Sequence, residues 1–453
     1  MNRDSLNEGM GMIQIALPNK GASRDGVMRE LKALHSADND WRTGRMFSLI
    51  YNAGADVESV AREAYAEYMV ENALSPFSFP SLLKMETELL SMIATLFHGE
   101  TAVGSMTSGG SESILMAVKT AREWARAKRP GISSPELVMP VTAHPAFNKA
   151  AHFLGIRAVA VRVDGGFRAS VPDMIGAVTE NTIMMVGSAF TYPHGMIDPI
   201  GELSGFALEN NIWFHTDACL GGFMIPFLEM EGYPVRPFDF RLPGVKSISA
   251  DIHKYGYTPK GASTVTYRDM DLREFQFFAY ADWPGGVYGT ACVSGARPGG
   301  AISSAWAVMR YLGQEGFRGL ASKAMRAAKR LRAGIEAIPG LHVLGNPDGT
   351  VFAFGSDGLN VYDLRDALKR RNWHVESQHL PPCLHLTVCP VHEEVVDAFL
   401  EDLAEACGEA ASVSENDRTE DAVLYGVMGT IPDRSQALDL AVKYLNDLYR
   451  IKP

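Results

Sequence analysis

The chain has 453 residues and a formal net charge of −11, with 46% hydrophobic and 21% charged residues. This length predicts about two or three domains, and the acidic balance argues against a nucleic-acid or anionic-membrane partner. The five cysteines show no paired spacing, so we expect reduced thiols rather than a disulfide framework. The histidines near Cys383 and Cys389 fit no usual zinc pattern, and we expect no metal.

The N-terminal sequence has no apolar core of signal-peptide length, and no stretch of about 18 apolar residues predicts a transmembrane helix. We therefore expect a soluble cytoplasmic protein, and export by a route without a signal stays open. Residues 1–55 have the composition of an N-terminal arm, with one amphipathic segment at 27–34. Helical patterns follow at 57–68 and 82–97.

From about residue 100, short apolar runs alternate with helical patterns. The runs are apolar throughout, which is typical of strands buried on both faces of a mainly parallel sheet. Predicted strands lie at 137–141, 158–163, 183–188, 212–216 and 245–248. Predicted helices lie at 111–128, 146–153, 302–312 and 321–338.

The last part of the chain has an α+β pattern with shorter strands. Predicted strands lie at 341–344, 351–354 and 384–388, predicted helices at 361–371, 394–406 and 434–449, and a polar loop at 412–420. The sequence thus predicts an α/β protein with an arm at 1–55, a large domain at 56–318 and a small domain at 319–453.

The most informative stretch is SISADIHKYGYTPKGAS, residues 247–263. Lys254 follows His253 at the end of a predicted strand, and Lys260 comes six residues later. A lysine held by a rigid element could carry a cofactor as a Schiff base if its surroundings let the amine lose its proton. The alternative is a solvated loop lysine.

Three further clusters follow predicted strands. Ser108, Gly109 and Gly110 precede a helix, where backbone N–H groups bind phosphate, although a plain capped turn has the same pattern. His144 lies at a ligand-binding strand end or in an exposed loop. Asp217 closes a buried strand and needs a positive partner, such as a protonated pyridine nitrogen, unless it caps a turn. Together these parts could hold pyridoxal 5′-phosphate.

Five motifs carry a family resemblance: TSGGSESILMA, AHPAFNKAA, HTDACLGGF, SISADIHKYGYTPKG and SGARPGG. They resemble those of the group II pyridoxal-phosphate-dependent decarboxylases, and much more closely those of the sphingosine-1-phosphate lyase branch. The resemblance extends from about Ala16 through WRTGRMFSLIY to LYGVMGTIPDRS and the last helix. It implies the fold type I architecture of this enzyme group and a homodimer with sites built from both subunits. The membrane span of the animal enzymes is missing, as in a soluble bacterial form.

The resemblance also implies a role for individual residues. Lys254 would bind the cofactor covalently, Asp217 would hold the pyridine nitrogen protonated, and His144 would stack on the ring. The cofactor phosphate would be bound by Ser108, Gly109, Gly110, Ser249 and His253, with Gly295 supplied by the partner subunit.

On the substrate side, the resemblance places Lys260, Tyr51 and Asn72 near the substrate's phosphate, and Tyr192 beside the reacting centre. Two residues depart from the family pattern. Ser75 stands where a phosphate-binding histidine is usual, and Ala296 replaces a serine of the loop around Gly295.

The implied reaction is a retro-aldol cleavage of a phosphorylated sphingoid base to a long-chain aldehyde and phosphoethanolamine. Lys254 after its release, Tyr192 and the substrate phosphate all stay open as the base, while Lys260 is better suited to neutralise the phosphate. One alternative is an amino-acid decarboxylase on the same fold. The other is a cofactor-binding protein without turnover, against which Asp217 and Lys254 both argue.

Overall fold

The computed structural model describes residues 12–13, 15–414, 418–419 and 434–452. Residues 424–433 of the LYGVMGTIPDRS motif, part of the predicted 412–420 loop and the start of the arm lie outside the described residues. The α-helices are Arg24–His35, Ala55–Glu67, Pro80–Leu96, Gly110–Lys128, Ala146–Leu154, Val171–Gly176, Ile200–Glu209, Ile225–Met230, Met270–Arg273, Gly299–Ala337, Val361–Arg370, Val396–Ala411 and Arg434–Leu448.

The strands form a large sheet, a small sheet and two short pairs. They are β1 (Met12–Ile13), β2 (Val103–Thr107), β3 (Glu136–Pro140), β4 (Arg157–Val161), β5 (Thr182–Ser188), β6 (Trp213–Asp217), β7 (Val245–Ala250), β8 (Ser263–Tyr267), β9 (Phe278–Tyr280), β10 (Tyr288–Thr290), β11 (Leu341–Val343), β12 (Val351–Ser356), β13 (Glu376–His379), β14 (Pro382–Thr387) and β15 (Ile451–Lys452).

A seven-stranded sheet in the order β2-β8-β7-β6-β5-β3-β4 forms the centre of the large domain. The strands from β7 to β4 pair in parallel, so the predicted mainly parallel sheet is confirmed. Every residue of β3, β5 and β6 is buried, as the continuous apolar runs indicate. By contrast, β4 is partly exposed, because it lies at the sheet edge and has only β3 as a neighbour.

The strand β8 was missed at the sequence level, because Ser and Thr fill three of its five positions. All of its residues are buried, and its hydroxyls donate hydrogen bonds to β7, as Thr264 Oγ1 does to the Ala250 carbonyl at 3.2 Å. β8 runs antiparallel to β2 and β7, so it begins at the edge where they end. That edge therefore gathers the residues that follow β2, β6 and β7.

The small domain contains an antiparallel sheet in the order β11-β12-β14-β13. The helix Gly299–Ala337 joins the two domains and is interrupted at Gly313, where φ is 54°. Its first part packs in the large core and its last turns in the small core, so the predicted domain boundary after residue 318 falls inside one element. That boundary stays a prediction.

The end of the N-terminal arm packs on the small domain. Phe47 is fully buried there and stacks on His392 with ring centroids 4.2 Å apart. Its backbone carbonyl accepts the Thr387 N–H at 2.8 Å. In the described part of the chain, no helix is both long and apolar enough to cross a lipid bilayer.

The turn that carries Tyr192 can be tested through Gly195, which has a φ of +71°. An added Cβ there would lie 1.7 Å from the Val351 carbonyl oxygen. We expect Gly195→Ala to lower the free energy of unfolding by about 3 kcal/mol or more, measured by urea denaturation. Gly205→Ala, in open space within a helix, is the control and should leave stability unchanged or raise it. Equal stability of the two variants would contradict this account of the turn.

Candidate active site

The site forms at the edge of the large sheet where parallel strands end. Asp217 is the last residue of β6 and lies opposite Ser249 of β7 in the strand register. Lys254 follows β7 after a short turn, in which its N–H donates to the Asp251 carbonyl at 3.2 Å. The predicted strand-end positions of Asp217 and Lys254 are therefore found next to one another, as expected for a ligand-binding edge of an α/β sheet.

The Lys254 ammonium forms an ion pair with Asp251, with 3.0 Å between Nζ and Oδ2. Burial opposes the charged amine, but the Asp251 carboxylate outweighs it and raises the pKa of Lys254 above its ordinary value. For Asp251, burial alone would favour the neutral acid. The nearby Lys254 and His253 reverse this effect and lower the pKa of Asp251. The pair is therefore ionised near neutral pH.

Asp217 is buried, and its Oδ1 accepts two hydrogen bonds. The donors are the Cys219 N–H at 3.1 Å and the Ser249 hydroxyl at 3.2 Å. Ser249 also contacts His215, a buried histidine of the same strand as Asp217, at 3.1 Å. The Ser249 hydroxyl is thus engaged on the side of Asp217.

The turn Ser108–Gly110 connects β2 to the helix Gly110–Lys128. A Cβ on Gly110 would lie 2.8 Å from an Asp251 oxygen, so only glycine fits beside the ion pair. A Cβ on Gly109 would lie 3.4 Å from His253 Cε1, which places the His253 ring beside the turn. The backbone N–H and hydroxyl of Ser108 both donate to the Glu112 carboxylate, at 2.7 Å and 2.6 Å.

His253 has a buried Nδ1 without a hydrogen-bond partner in the described part of the chain. Burial lowers the pKa of His253 to about 4, although the neighbouring Asp251 opposes the shift. The neutral ring can donate one N–H to an anion bound at the turn. A helix N-terminus, close glycines and this unpaired ring nitrogen together make a site suited to phosphate.

Three side chains border the site on its open side. His144 is exposed, and its Nδ1 accepts the Ala146 N–H at 3.1 Å, which fixes the ring orientation. Lys260 is exposed; its Nζ donates to the His253 carbonyl at 3.2 Å and lies 5.1 Å from the centre of the Tyr51 ring. Partial burial of its stem and the nearby Lys254 charge lower the pKa of Lys260. Tyr51 and Lys260 thus lie together, next to Lys254.

Tyr192 is partly exposed and stacks on His385 of β14, with ring centroids 4.4 Å apart. The turn that carries it is also held by Gln378, whose amide donates to the Pro193 carbonyl at 3.0 Å. Two strands of the small domain therefore set the position of Tyr192.

Asn72, Ser75 and Gly295 lie together in a second place. Asn72 Oδ1 accepts the N–H groups of Leu74 and Arg297, at 3.0 Å and 3.1 Å. The Ser75 hydroxyl contacts Ser78 at 2.9 Å. Among the described residues, no hydrogen bond or ion pair joins these three residues to Lys254 or Asp217.

Sequence reasoning assigned no role to Asp251, His215 or Glu112. The spacing of Asp251 and Lys254, three residues apart, was an available signal for an ion pair in a turn. His215 and Asp217 alternate on one strand and so share a face, which was also readable from the sequence. The contact of Glu112 with the Val293 N–H at 2.9 Å joins distant segments and had no local signal.

The Lys254 pair can be tested in the cofactor-free protein. Asp251→Asn removes the charge that keeps the amine protonated, so the pKa of Lys254 should fall by about 1 to 3 pH units. The measurement is the pH dependence of Lys254 acylation by an amine-reactive reagent, followed by peptide mass spectrometry. Asp173→Asn, at an exposed aspartate, is the control and should leave the midpoint unchanged. An unchanged or higher midpoint in Asp251→Asn would rule out this pairing.

Comparison with known proteins identifies the family to which this chain belongs. The pyridoxal-dependent decarboxylase conserved domain matches residues 10–354. A sphingosine-1-phosphate lyase of Oryza sativa subsp. japonica is 39% identical over 443 residues, covering 96% of this chain and 82% of that protein. The structure of a Burkholderia pseudomallei sphingosine-1-phosphate lyase has a TM-score of 0.87 at 37% identity and covers 96% of each chain.

A glutamate decarboxylase structure from Lactobacillus brevis shares the fold, with a TM-score of 0.78 at 21% identity, covering 89% of this chain and 96% of that one. That likeness concerns the architecture alone. The identity with the lyases is much higher and extends over almost the whole chain. This chain therefore belongs to the sphingosine-1-phosphate lyase family, within the larger group of pyridoxal-dependent decarboxylase-type proteins.

Proposed function

We propose that this chain is a pyridoxal-phosphate-dependent lyase that cleaves a phosphorylated sphingoid base by a retro-aldol reaction. The products are a long-chain aldehyde and phosphoethanolamine. One observation carries the proposal: the half-buried amine of Lys254 and the buried carboxylate of Asp217 lie at the ends of adjacent strands. They do so in a chain that matches sphingosine-1-phosphate lyases over 96% of its length.

The residues at this edge fit pyridoxal 5′-phosphate. The unpartnered His253 Nδ1 and the space that a Cβ on Gly110 would fill lie on the side of the helix N-terminus. In our assignment, this side takes the cofactor phosphate, through backbone N–H groups of Gly109 and Gly110. Lys254 holds the cofactor covalently, and His144 offers its exposed ring for stacking. Asp217 faces the ring nitrogen. When bound, the cofactor withdraws electrons from the carbon whose bond breaks.

Ser108 and Ser249 enter this assignment differently from the other phosphate residues. Both donor groups of Ser108 already bond Glu112, so a contact with phosphate requires Ser108 to exchange partners. The hydroxyl of Ser249 bonds Asp217 and His215. We assign Ser249 to the support of Asp217.

The substrate phosphate is assigned to the side where Lys260 and Tyr51 lie. A phosphate dianion there would raise the pKa of Lys260, which burial and the Lys254 charge lower in the free protein. The Tyr51 ring packs edge-on against Tyr255 at 4.9 Å, so its orientation is set before substrate arrives. Ser75 supplies a hydroxyl where the family pattern has an imidazole, and its share in phosphate binding stays a prediction.

Proton transfer can be assigned in part. As a free amine, Lys254 lies beside Asp251, which raises its pKa. Lys254 Nζ then keeps its proton and is suited to donate it to carbon 2 of the substrate. The base for the hydroxyl on carbon 3 is accordingly assigned to Tyr192 or to the substrate phosphate.

A second copy of the chain is proposed to complete the site. Asn72, Ser75 and Gly295 lie apart from Lys254, and their neighbours Leu74, Pro76 and Arg297 line one pocket. Exposed apolar side chains surround this place, including Phe77, which is 95% exposed, and Val293. A homodimer would cover these residues and bring them to the partner's Lys254 side.

The amino-acid decarboxylase alternative differs in its products. Purified protein loaded with cofactor is offered phosphorylated and unphosphorylated sphingoid bases and a panel of amino acids. We expect aldehyde and phosphoethanolamine from the phosphorylated base, and no carbon dioxide from any amino acid. Release of carbon dioxide from an amino acid, with no aldehyde from the sphingoid base, would show that the protein is a decarboxylase and not a lyase. Bound cofactor without either product would favour the non-catalytic alternative.

Lys254→Ala should abolish aldehyde formation and the visible absorbance of the covalently bound cofactor, because Lys254 is the amine assigned to hold it and the neighbouring Lys260 is assigned to the substrate phosphate. Lys246→Gln is the matched control. Lys246 is also partly buried, donates to the Ile212 carbonyl at 2.9 Å and has a pKa of about 8 because of burial. It should keep both properties. Survival of the absorbance band in Lys254→Ala would exclude Lys254 as the linking residue.

The shared site can be tested by mixing two variants. Lys254→Ala chains supply an intact Asn72, and Asn72→Ala chains supply an intact Lys254. Each variant should be inactive alone. After joint unfolding and refolding in equal amounts, about a quarter of wild-type activity should return, since half of the random dimers carry one intact site. If activity does not return while dimers form, Asn72 serves its own chain's site.

A further inference from the structure

A series of buried hydrogen bonds alternates between β6 and β7 and ends on Asp217. Trp213 Nε1 donates to Ser247 Oγ at 2.8 Å, and Ser247 Oγ lies 2.8 Å from His215 Nδ1. His215 Nε2 lies 3.1 Å from Ser249 Oγ, which donates to Asp217 Oδ1 at 3.2 Å. The first four side chains are completely buried.

Chemistry fixes the direction of every bond in this chain. The Ser249 hydroxyl donates its one proton to Asp217 Oδ1, so it must receive the His215 Nε2–H. The bare Nδ1 of His215 then accepts the Ser247 hydroxyl proton, while Ser247 Oγ accepts the Trp213 indole N–H, which can only donate. His215 is therefore the neutral tautomer protonated at Nε2. Burial, which lowers the pKa of His215 to about 4, keeps it neutral near pH 7.

The hydrogen-bond series provides a donor to one carboxylate oxygen of Asp217 and leaves the other oxygen available. Oδ1 receives the Ser249 hydroxyl and the Cys219 N–H. Oδ2 has no hydrogen-bond donor among the described residues. Donors on Oδ1 stabilise the ionised carboxylate and restrict its rotation, so Oδ2 is held for a single positive partner.

We propose that His215 and Ser249 are positioning residues, which hold the Asp217 carboxylate oriented so that Oδ2 pairs with the ring nitrogen of the cofactor. The proposal rests on the proposed function, because it assigns that nitrogen to Asp217. Without the donors on Oδ1, the Asp217 carboxylate would be oriented less well toward the ring nitrogen and would pair with it more weakly. The cofactor would then withdraw electrons less strongly, so turnover should slow while substrate binding is retained.

A role confined to core stability does not require this arrangement. A buried polar group needs a partner, but an apolar side chain at positions 215, 247 and 249 would remove that need altogether. His392 shows the simpler solution, since it is equally buried and both of its nitrogens bond backbone groups. In the hydrogen-bond series through His215, by contrast, each hydroxyl donates its hydrogen bond in the direction of the Asp217 carboxylate.

Two variants of His215 separate donation from shape. In His215→Gln the amide nitrogen can take the place of Nε2 and donate to Ser249, whereas the shorter side chain in His215→Asn reaches only the Ser247 side. Ser249→Ala removes the last link with little change in volume. The control is Ser304→Ala, at a fully buried serine that donates to the Ala61 carbonyl at 2.7 Å.

The measurements are the dissociation constant of pyridoxal 5′-phosphate, without substrate, and kcat and KM with phosphorylated sphingoid base. Ser249→Ala and His215→Asn should each weaken cofactor binding and lower kcat by about tenfold or more, with KM changed by less than about threefold. His215→Gln should recover most of both losses. Ser304→Ala should match the wild type in both. Thermal unfolding identifies any variant that fails to fold. If a His215 variant does not fold, the result for Ser249→Ala decides the proposal.

Wild-type cofactor affinity and kcat in folded Ser249→Ala and His215→Asn would overturn the proposal. So would equal losses in His215→Gln and His215→Asn, which indicate a steric role. Failure of the proposed function is a separate result: the wild type then forms no aldehyde. The cofactor dissociation constants of the variants still decide whether the His215 and Ser249 hydrogen bonds orient Asp217 for cofactor binding.

Discussion

The buried carboxylates of Asp217 and Asp251 set the conditions that the rest of the site meets. Removing the partner of a buried charge typically costs about 3 to 5 kcal/mol, so each acid needs compensation. Asp251 pairs with the Lys254 ammonium, and Asp217 accepts from Ser249 of β7 and from the Cys219 N–H in the turn after β6. The two acids thereby occupy different parts of the site: Asp251 lies beside the Lys254 amine, and Asp217 lies at the end of a series of neutral hydrogen-bond donors.

The reversed strand β8 makes this division possible. It pairs between β2 and β7 and brings Ser263 to the edge where both of those strands end. The Ser263 hydroxyl donates to the Ala250 carbonyl at 3.2 Å and lies 2.8 Å from Ser113 of the helix that follows the glycine turn. The turn Ser108–Gly110 is thus held against the Asp251 and Lys254 segment, where only glycine at position 110 leaves enough room.

The small domain also contributes to the site, through aromatic residues. Tyr255, next to Lys254, donates to the Val388 carbonyl at 3.0 Å and accepts from Thr350 at 2.9 Å. Tyr192 rests on His385 of the same domain. Tyr192, assigned beside the reacting centre, and Tyr255, the neighbour of Lys254, therefore both contact the small domain across the domain junction.

Much of the fold was readable from local patterns, and the exceptions have identifiable causes. The runs of β3, β5, β6 and β7 predicted strands because burial on both faces of a parallel sheet favours apolar residues at successive positions. The same reasoning wrongly predicted that β4 is buried on both faces, since a run of apolar residues does not distinguish an edge strand from a central strand. It missed β8, whose Ser and Thr side chains satisfy their polarity on neighbouring backbone carbonyls.

The sequence alone determined which residue types stand at the strand ends, so Lys254, Asp217, His144 and the turn Ser108–Gly110 were identified together. The strand ends of a parallel sheet lie at one edge, and the resemblance of the motifs to a known family assigned these residues their roles. Only the tertiary structure decided which atoms face each other: Ser249 with Asp217, Asp251 with Lys254, and Asn72 with the loop before Pro298. Contacts of this kind depend on strand register and on turns between distant segments, and a linear pattern contains neither.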